Sequence, residues 1–144
     1  MNLEPMLSAD TREFLRAALA NMDSSARLVL FTPAVGGEGC ASSRDLVREL
    51  ASLTDRLAIE ARDLRLDRDA AAAYRIDRAP AIAVVGDRDR GIRFVGAPGG
   101  YEIMALVDAI LLVSSGDSGL APSSRALLAK VRTPLDIQVF ATPT

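Results

Sequence analysis

Two short, continuous runs of apolar residues constrain this chain more than any other sequence feature. The first is Leu28 to Phe31, and the second is Ala81 to Val85. A run of this length without polar alternation is typical of a strand that is covered on both faces. The two runs therefore predict a sheet with helices packed against both of its sides.

Helical and strand periodicities supply the remaining elements. A capping box at Asp10 to Glu13 predicts a first helix that ends near Asp23, with an apolar face formed by Phe14, Leu15, Ala18, Leu19 and Met22. Further helices are predicted over 40–53, 67–74 and 101–113, and further strands over 57–62 and 92–95. The first β-α-β part implies a parallel pair with a right-handed crossover, and the hairpin that follows completes a four-stranded mixed sheet with flanking helices.

A Ser/Gly-rich linker from Ser114 to Pro122 separates this α/β domain from a short extension. Ser123 to Arg132 has the apolar spacing of a helix, and Leu135 to Phe140 alternates like a strand. The chain is therefore divided into a domain over 1–114 and, over 115–144, a linker, helix and first strand of an incomplete second unit. We expect the orphan strand to pack onto a neighbour, which makes a homodimer one expected partner arrangement.

Composition excludes several classes of function and of location. The 17 basic and 19 acidic residues are interspersed, so nothing resembles a nucleic-acid interface. The longest apolar candidate, Ile103 to Val113, contains Asp108 and falls short of the roughly 18 residues that a membrane span requires. A single cysteine excludes an internal disulfide, and Met1 to Asp10 lacks the layout of a secretory signal, so a cytoplasmic location is predicted.

Histidine is absent from the chain, and this restricts its chemistry. Ser-His-Asp and Cys-His nucleophilic systems and the usual zinc sites all require imidazole. No metal site and no cofactor are predicted. Cys40 lies at the start of the helix that follows the first buried strand, and this placement together with the element order indicates a thioredoxin-like fold. The residues alone leave two roles open for Cys40, either a small apolar filler or a single thiol that forms mixed disulfides.

Three segments carry a resemblance to a known family. They are Glu49 to Leu57, Tyr74 to Ala81 and Arg93 to Glu102, of which the second is the most specific. They resemble the N-terminal half of the tandem thioredoxin-fold protein disulfide oxidoreductases, or glutaredoxin-like proteins, of thermophiles. The last segment is also similar to the N-terminal domain of the flavoprotein component of alkyl hydroperoxide reductase.

The resemblance implies a degenerate redox site. The second cysteine of the family's pair falls on Cys40 and the first falls on Gly37, so the local motif is Gly37-Glu38-Gly39-Cys40. The resemblance also implies a cis peptide bond between Ala79 and Pro80, whose backbone edge forms a groove for an extended peptide.

Glu102 is a second candidate site residue. It follows Gly99-Gly100-Tyr101, where the related segment has histidine in place of tyrosine. Two roles stay open for Glu102. It either stabilises the N-terminus of the last helix or accepts a proton beside a disulfide site.

The resemblance implies that a redox-active Cys-x-x-Cys fold would follow Thr144, so the chain is either a fragment cut before that motif or a truncated gene product. It implies a non-catalytic, scaffolding half of a thiol–disulfide oxidoreductase. The expected partners are the second thioredoxin-fold unit of the parent chain and, as substrates, protein disulfides or a peroxiredoxin. Two alternatives stay open: a single-cysteine redox enzyme that uses Cys40, and a peptide-binding module that uses the Ala79-Pro80 groove.

Overall fold

The computed structural model describes residues 6–33 and 35–142 of the chain. Four strands and five helices lie in these residues. The strands are β1 Ala26–Thr32, β2 Leu57–Asp63, β3 Ala81–Val85 and β4 Asp89–Val95. The helices are α1 Ala9–Leu19, α2 Cys40–Ala51, α3 Arg68–Ala73, α4 Glu102–Ser115 and α5 Pro122–Leu128.

The strands form one mixed sheet in the order β2-β1-β3-β4. Strand β1 pairs in parallel with β2, with Leu28 opposite Ile59, and antiparallel with β3, with Leu28 opposite Val84. Strand β4 closes the sheet as the antiparallel partner of β3. The predicted four-stranded mixed sheet with a parallel β-α-β crossover is therefore confirmed.

The sheet is covered on both faces, as the apolar runs predicted. On one face, Leu28 and Leu30 pack against side chains of α1, α2 and α4. On the other face, Val29 and Phe31 pack against Ala71 of α3 and the residues that follow that helix. All four β1 side chains are at most 2% exposed, so successive residues of one strand belong to two separate cores.

Helix α1 corrects two details of the sequence prediction. The N-cap is Ser8, whose hydroxyl accepts a hydrogen bond from the Thr11 N–H at 3.2 Å, and not Asp10. Phe14 was expected in the core but is 59% exposed. Leu15 and Leu19, one turn apart, define the buried face, and a residue directly beside Leu15 is turned about 100° away from it.

Two interactions fix the ends of the folded domain. The Ser24 N–H donates to the Ser114 hydroxyl at 2.9 Å, and that hydroxyl donates to the Ser24 carbonyl at 2.6 Å. Helix α4 ends at Gly116, whose φ of +69° is the left-handed conformation that favours glycine. No helix in the described part of the chain combines the length and apolarity needed to cross a membrane.

The C-terminal extension differs from the prediction. The helix expected over Ser123 to Arg132 is the shorter α5, and Leu135 to Phe140 does not form a strand. The four apolar side chains of this segment, Leu135, Ile137, Val139 and Phe140, are 67 to 90% exposed. An alternating pattern places the apolar side chains of a segment on one face, but a strand also needs hydrogen bonds to a neighbouring strand. Within residues 6–33 and 35–142, no strand pairs with this segment.

The face that carries α3 is held by a cluster around Tyr74. The Arg93 guanidinium lies 5.3 Å from the centroid of the Tyr74 ring, and its Nε donates to the Tyr74 carbonyl at 2.8 Å. Arg93 also donates to the Asp89 carboxylate at 2.8 Å. This hydrogen bond, together with the donation from the Gly91 N–H, holds the pKa of Asp89 below its ordinary value.

We expect Asp89→Asn to lower the free energy of unfolding at neutral pH by about 0.5 to 1 kcal/mol, because the partly exposed ion pair that positions Arg93 is lost. A carboxyl with a lowered pKa in the folded state stabilises the fold above its ordinary pKa of about 3.9 and loses this effect as the pH falls further. The variant and the parent chain should therefore converge in stability near pH 2. Urea unfolding at several pH values, with the exposed Asp108→Asn as control, measures this difference; parallel curves down to acid pH would contradict it.

Candidate functional site

The predicted site lies in the loop between β1 and α2 and at the start of α2. Cys40 is the first residue of α2, and its backbone N–H donates to the Gly37 carbonyl at 3.3 Å. The preceding residue, Gly39, is the N-cap and has a φ of +73°. Helix α2 has no capping side chain, and Cys40 is only 1% exposed. The lone thiol is therefore part of the protein interior.

Gly37 packs directly against the sulfur. A Cβ atom placed on Gly37 would lie 2.7 Å from Sγ of Cys40 and 3.0 Å from Cγ of Pro33. Real Cβ atoms do not approach a non-bonded sulfur so closely. In a disulfide, however, the sulfurs are about 2.0 Å apart and the Cβ atoms about 3.8 Å apart. A side chain at Gly37 would therefore direct its Cβ toward the Cys40 sulfur, as a bonded partner of Cys40 must.

Gly39, the last glycine of the loop, packs against the segments that carry Pro80 and Ala97. A Cβ atom on Gly39 would lie 2.9 Å from Cβ of Ala97 and 3.6 Å from Cγ of Pro80. The Ala79–Pro80 peptide bond is cis, and the Pro80 carbonyl accepts from the Gly96 N–H at 2.8 Å. Pro80 is buried and Ala79 is partly exposed, so the start of β3 lies against the loop that carries Gly39.

Glu102 lies in the first turn of α4, and its carboxylate accepts from the Gly99 N–H at 3.2 Å. This contact is the one that a helix N-terminus offers to a carboxylate. Within the described residues, no hydrogen bond joins Glu102 to Cys40. The geometry fits the helix-stabilising role of Glu102.

One residue beside the site was not identified from the sequence. Arg44 donates to the Thr32 hydroxyl at 3.1 Å and to the Pro33 carbonyl at 3.0 Å, and so ties α2 to the end of β1. Arg44 lies one helical turn after Cys40, and this spacing was the available signal. Nearby on α2, the Ser43 hydroxyl is buried and meets no hydrogen-bond partner among the described residues.

Two large apolar side chains are exposed in the loops that precede α2 and α4. Val35 in the loop before α2 and Tyr101 in the loop before α4 are 90% and 86% exposed. Chemically, the site offers one buried thiol. Two-cysteine exchange needs a second sulfur that resolves the mixed disulfide. The arrangement therefore supports packing and surface contact, and it lacks the groups for a dithiol cycle.

Comparisons with known proteins give matches at the level of structure. No family model matches the chain, and no curated protein matches it. A protein disulfide oxidoreductase from Aeropyrum pernix superposes with a TM-score of 0.78 at 26% identity, covering 90% of this chain and 56% of the other. The alkylhydroperoxide reductase protein AhpF from Enterococcus faecalis gives a TM-score of 0.78 at 23% identity, covering 88% of this chain and 61% of the other.

These comparisons confirm the thioredoxin-like fold and the resemblance that the sequence indicated. The NTD_N/C domain of AhpF from Enterococcus faecalis gives a TM-score of 0.73 at 23% identity, with 85% of this chain and 60% of the other covered. The chain thus spans little more than half the length of the structures that it matches. It has the fold of redox proteins, and its site carries a single cysteine.

We expect Gly37→Cys to form a disulfide with Cys40 under mild oxidation, because the Cβ at that position approaches Sγ closely. The product would lose two hydrogen atoms in mass and both thiols in a titration. In the reduced form we expect a stability loss of about 1 kcal/mol, since a side chain at positive φ is strained.

The matched control for this prediction is Gly36→Cys, since a Cβ at Gly36 meets nothing within 4 Å. Equal thiol content in the two oxidised variants would contradict the assignment of Gly37 to the partner position.

Proposed function

We propose that this chain is the non-catalytic, scaffolding thioredoxin-like half of a thiol–disulfide oxidoreductase. Its redox-active Cys-x-x-Cys fold follows Thr144 and is the partner that the chain holds in place. The observation that carries the proposal is the state of Cys40, which is 1% exposed with Gly37 packed on its sulfur. The fold of a redox protein is present here without an accessible nucleophile.

The chemistry of exchange explains why burial matters. An exposed thiolate attacks a substrate disulfide and forms a mixed disulfide, which a second thiol then resolves. Cys40 is not positioned for the first step, because its sulfur is inside the protein. No second cysteine exists in the chain for the later step. We therefore assign catalysis to the following fold, with protein disulfides or a peroxiredoxin as its substrates and the cytoplasm as its location.

The insulin-reduction assay with dithiothreitol tests this proposal. We expect the 144-residue chain to give the same rate of insulin precipitation as dithiothreitol alone, and Cys40→Ser to give that rate too, because no exposed sulfur takes part. A clear acceleration by the parent chain that Cys40→Ser abolishes would overturn the scaffolding role.

Alkylation of Cys40 by iodoacetamide at neutral pH tests the single-cysteine enzyme as an alternative. We expect labelling of the folded chain to be at least about tenfold slower than labelling in denaturing urea, because reaction requires local opening of the loop before α2. Mass spectrometry follows the reaction. Equal rates in the folded and unfolded chains would favour a reactive monothiol and contradict the buried filler.

A peptide-binding module is favoured by one observation. Exposed apolar side chains, Val35 and Tyr101, lie at the end of the fold that carries the cis Ala79–Pro80 bond. An extended peptide could pair with this backbone edge without any redox step. Binding of an unfolded polypeptide that Cys40→Ser leaves unchanged and Tyr101→Asp weakens would support this second function.

A further inference from the structure

The loop before α2 is held near both of its ends. At its end, Gly39 packs against Ala97. At its start, the Pro33 carbonyl accepts a hydrogen bond from the Arg44 guanidinium at 3.0 Å. Residues 35–38 lie between these two points, are exposed, and belong to neither core. A displacement of residues 35–38 would therefore leave the packing of both cores intact.

The contact at the start of the loop is anchored in α2. Leu46 and Val47, which follow Arg44 on this helix, are at most 1% exposed and belong to the larger core. From this fixed base, Nη2 of Arg44 donates to the Thr32 hydroxyl at 3.1 Å and to the Pro33 carbonyl at 3.0 Å. Hydrogen bonds from a charged donor are stronger than those between neutral groups. Arg44 thus holds Pro33 against a helix that is itself firmly packed.

Pro33 connects Arg44 to the thiol through Gly37. A Cβ atom on Gly37 would lie 3.0 Å from Cγ of Pro33 and 2.7 Å from Sγ of Cys40, so the Gly37 backbone packs against both. The hydrogen bond from the Cys40 N–H to the Gly37 carbonyl is 3.3 Å long, which exceeds the usual range. The contacts therefore run from the Arg44 guanidinium through Pro33 and Gly37 to the sulfur.

The acceptors of Arg44 distinguish it from the next arginine of the helix. Arg48 lies 3.9 Å from the Asp45 carboxylate and is 68% exposed. In the described part of the chain, no carboxylate pairs with Arg44, and its hydrogen bonds go to the end of β1 and the start of the loop. The guanidinium of Arg44 is therefore committed to holding this end of the loop.

We propose that Arg44 is a latch that keeps Gly37 over the Cys40 sulfur and so sets how often the thiol becomes accessible. When the hydrogen bonds of Arg44 break, Pro33 and Gly37 move away from the sulfur while α2 and the sheet stay folded. Local opening of this kind requires less free energy than global unfolding. Arg44 is a positioning residue, because it acts on Cys40 through Pro33 and Gly37. The inference rests on the proposed function, since it identifies what keeps the thiol of the scaffolding half out of reach.

Arg44→Met tests the latch, because methionine keeps a long side chain but donates no hydrogen bond. We expect iodoacetamide to label Cys40 of the folded variant at least about tenfold faster than Cys40 of the parent chain, since two hydrogen bonds from a charged donor are lost. Arg44→Lys, which keeps the charge and a donor, should restore part of the slow rate. The matched control is Arg48→Met on the same helix, which should react at the parental rate.

Urea separates opening of the loop from loss of the fold. Local opening exposes little surface, so the labelling rate of Arg44→Met should change little at low urea concentration, whereas a rate that depends on global unfolding rises steeply. A steep rise, or a rate equal to that of the parent chain, would overturn the latch. A parent chain that is labelled as fast when folded as in denaturing urea would contradict the proposed function as well.

Gly37→Ala disturbs the same contact without altering Arg44. Its methyl group would lie 2.7 Å from Sγ, so the sulfur and the loop backbone must separate. The matched control is Gly36→Ala, because both glycines have a positive φ but a Cβ at Gly36 meets nothing within 4 Å. We expect faster labelling of Cys40 in Gly37→Ala alone, and circular dichroism checks that both variants keep their fold. Equal labelling rates in the two variants would overturn the role of Gly37 as the cover of the thiol.

Discussion

The burial of β1 on both faces determines the rest of the structure. Leu28 and Leu30 belong to the core beneath α1, α2 and α4, while Val29 and Phe31 belong to the core beneath α3. A shift of this strand by one residue would exchange the contents of the two cores, so its register is strongly specified. That register fixes where the strand ends, at Thr32, and hence where the loop and α2 begin. The position of Cys40 at the first residue of α2 is a consequence of this arrangement.

The loop before α2 places its backbone in close contact with neighbouring residues. Three of its glycines, Gly36, Gly37 and Gly39, have positive φ values, and the helix that follows has no side-chain cap. Gly39 allows the loop to approach Ala97, to which a Cβ atom would be too close, and to lie in van der Waals contact with Pro80. Gly37 covers the Cys40 sulfur in a similar way. A thiol that is buried in this way behaves as a small apolar side chain and contributes to the core. The packing of the fold depends on β1 and the flanking helices.

The elements that the sequence predicted well are those whose pattern arises from burial. Strands β1 and β3 lie within two residues of their predicted bounds. A short continuous apolar run is typical of a strand that is covered on both faces, so its bounds are easy to predict. Helix α1 was predicted, but its N-cap is Ser8 and not Asp10, although both residue types are good caps, and the helix ends at Leu19 and not near Asp23. The contacts of Arg44 with Thr32 and Pro33 could not be predicted, because they join two elements through side-chain geometry. The Leu135 to Phe140 strand was wrong because its alternation was read without a partner.

The folded domain ends at Gly116, and the C-terminal arm, residues 117–142, follows it. The Ser24–Ser114 hydrogen bonds and the left-handed Gly116 close the domain, so its two cores are complete without any residue of the arm. Nothing inside the domain depends on residues 117–142, yet these residues keep apolar side chains in water. Apolar surface stabilises a fold only when another surface covers it and removes it from water. Because both cores of the domain are filled without these residues, the apolar side chains of the arm do not contribute to the packing of the domain.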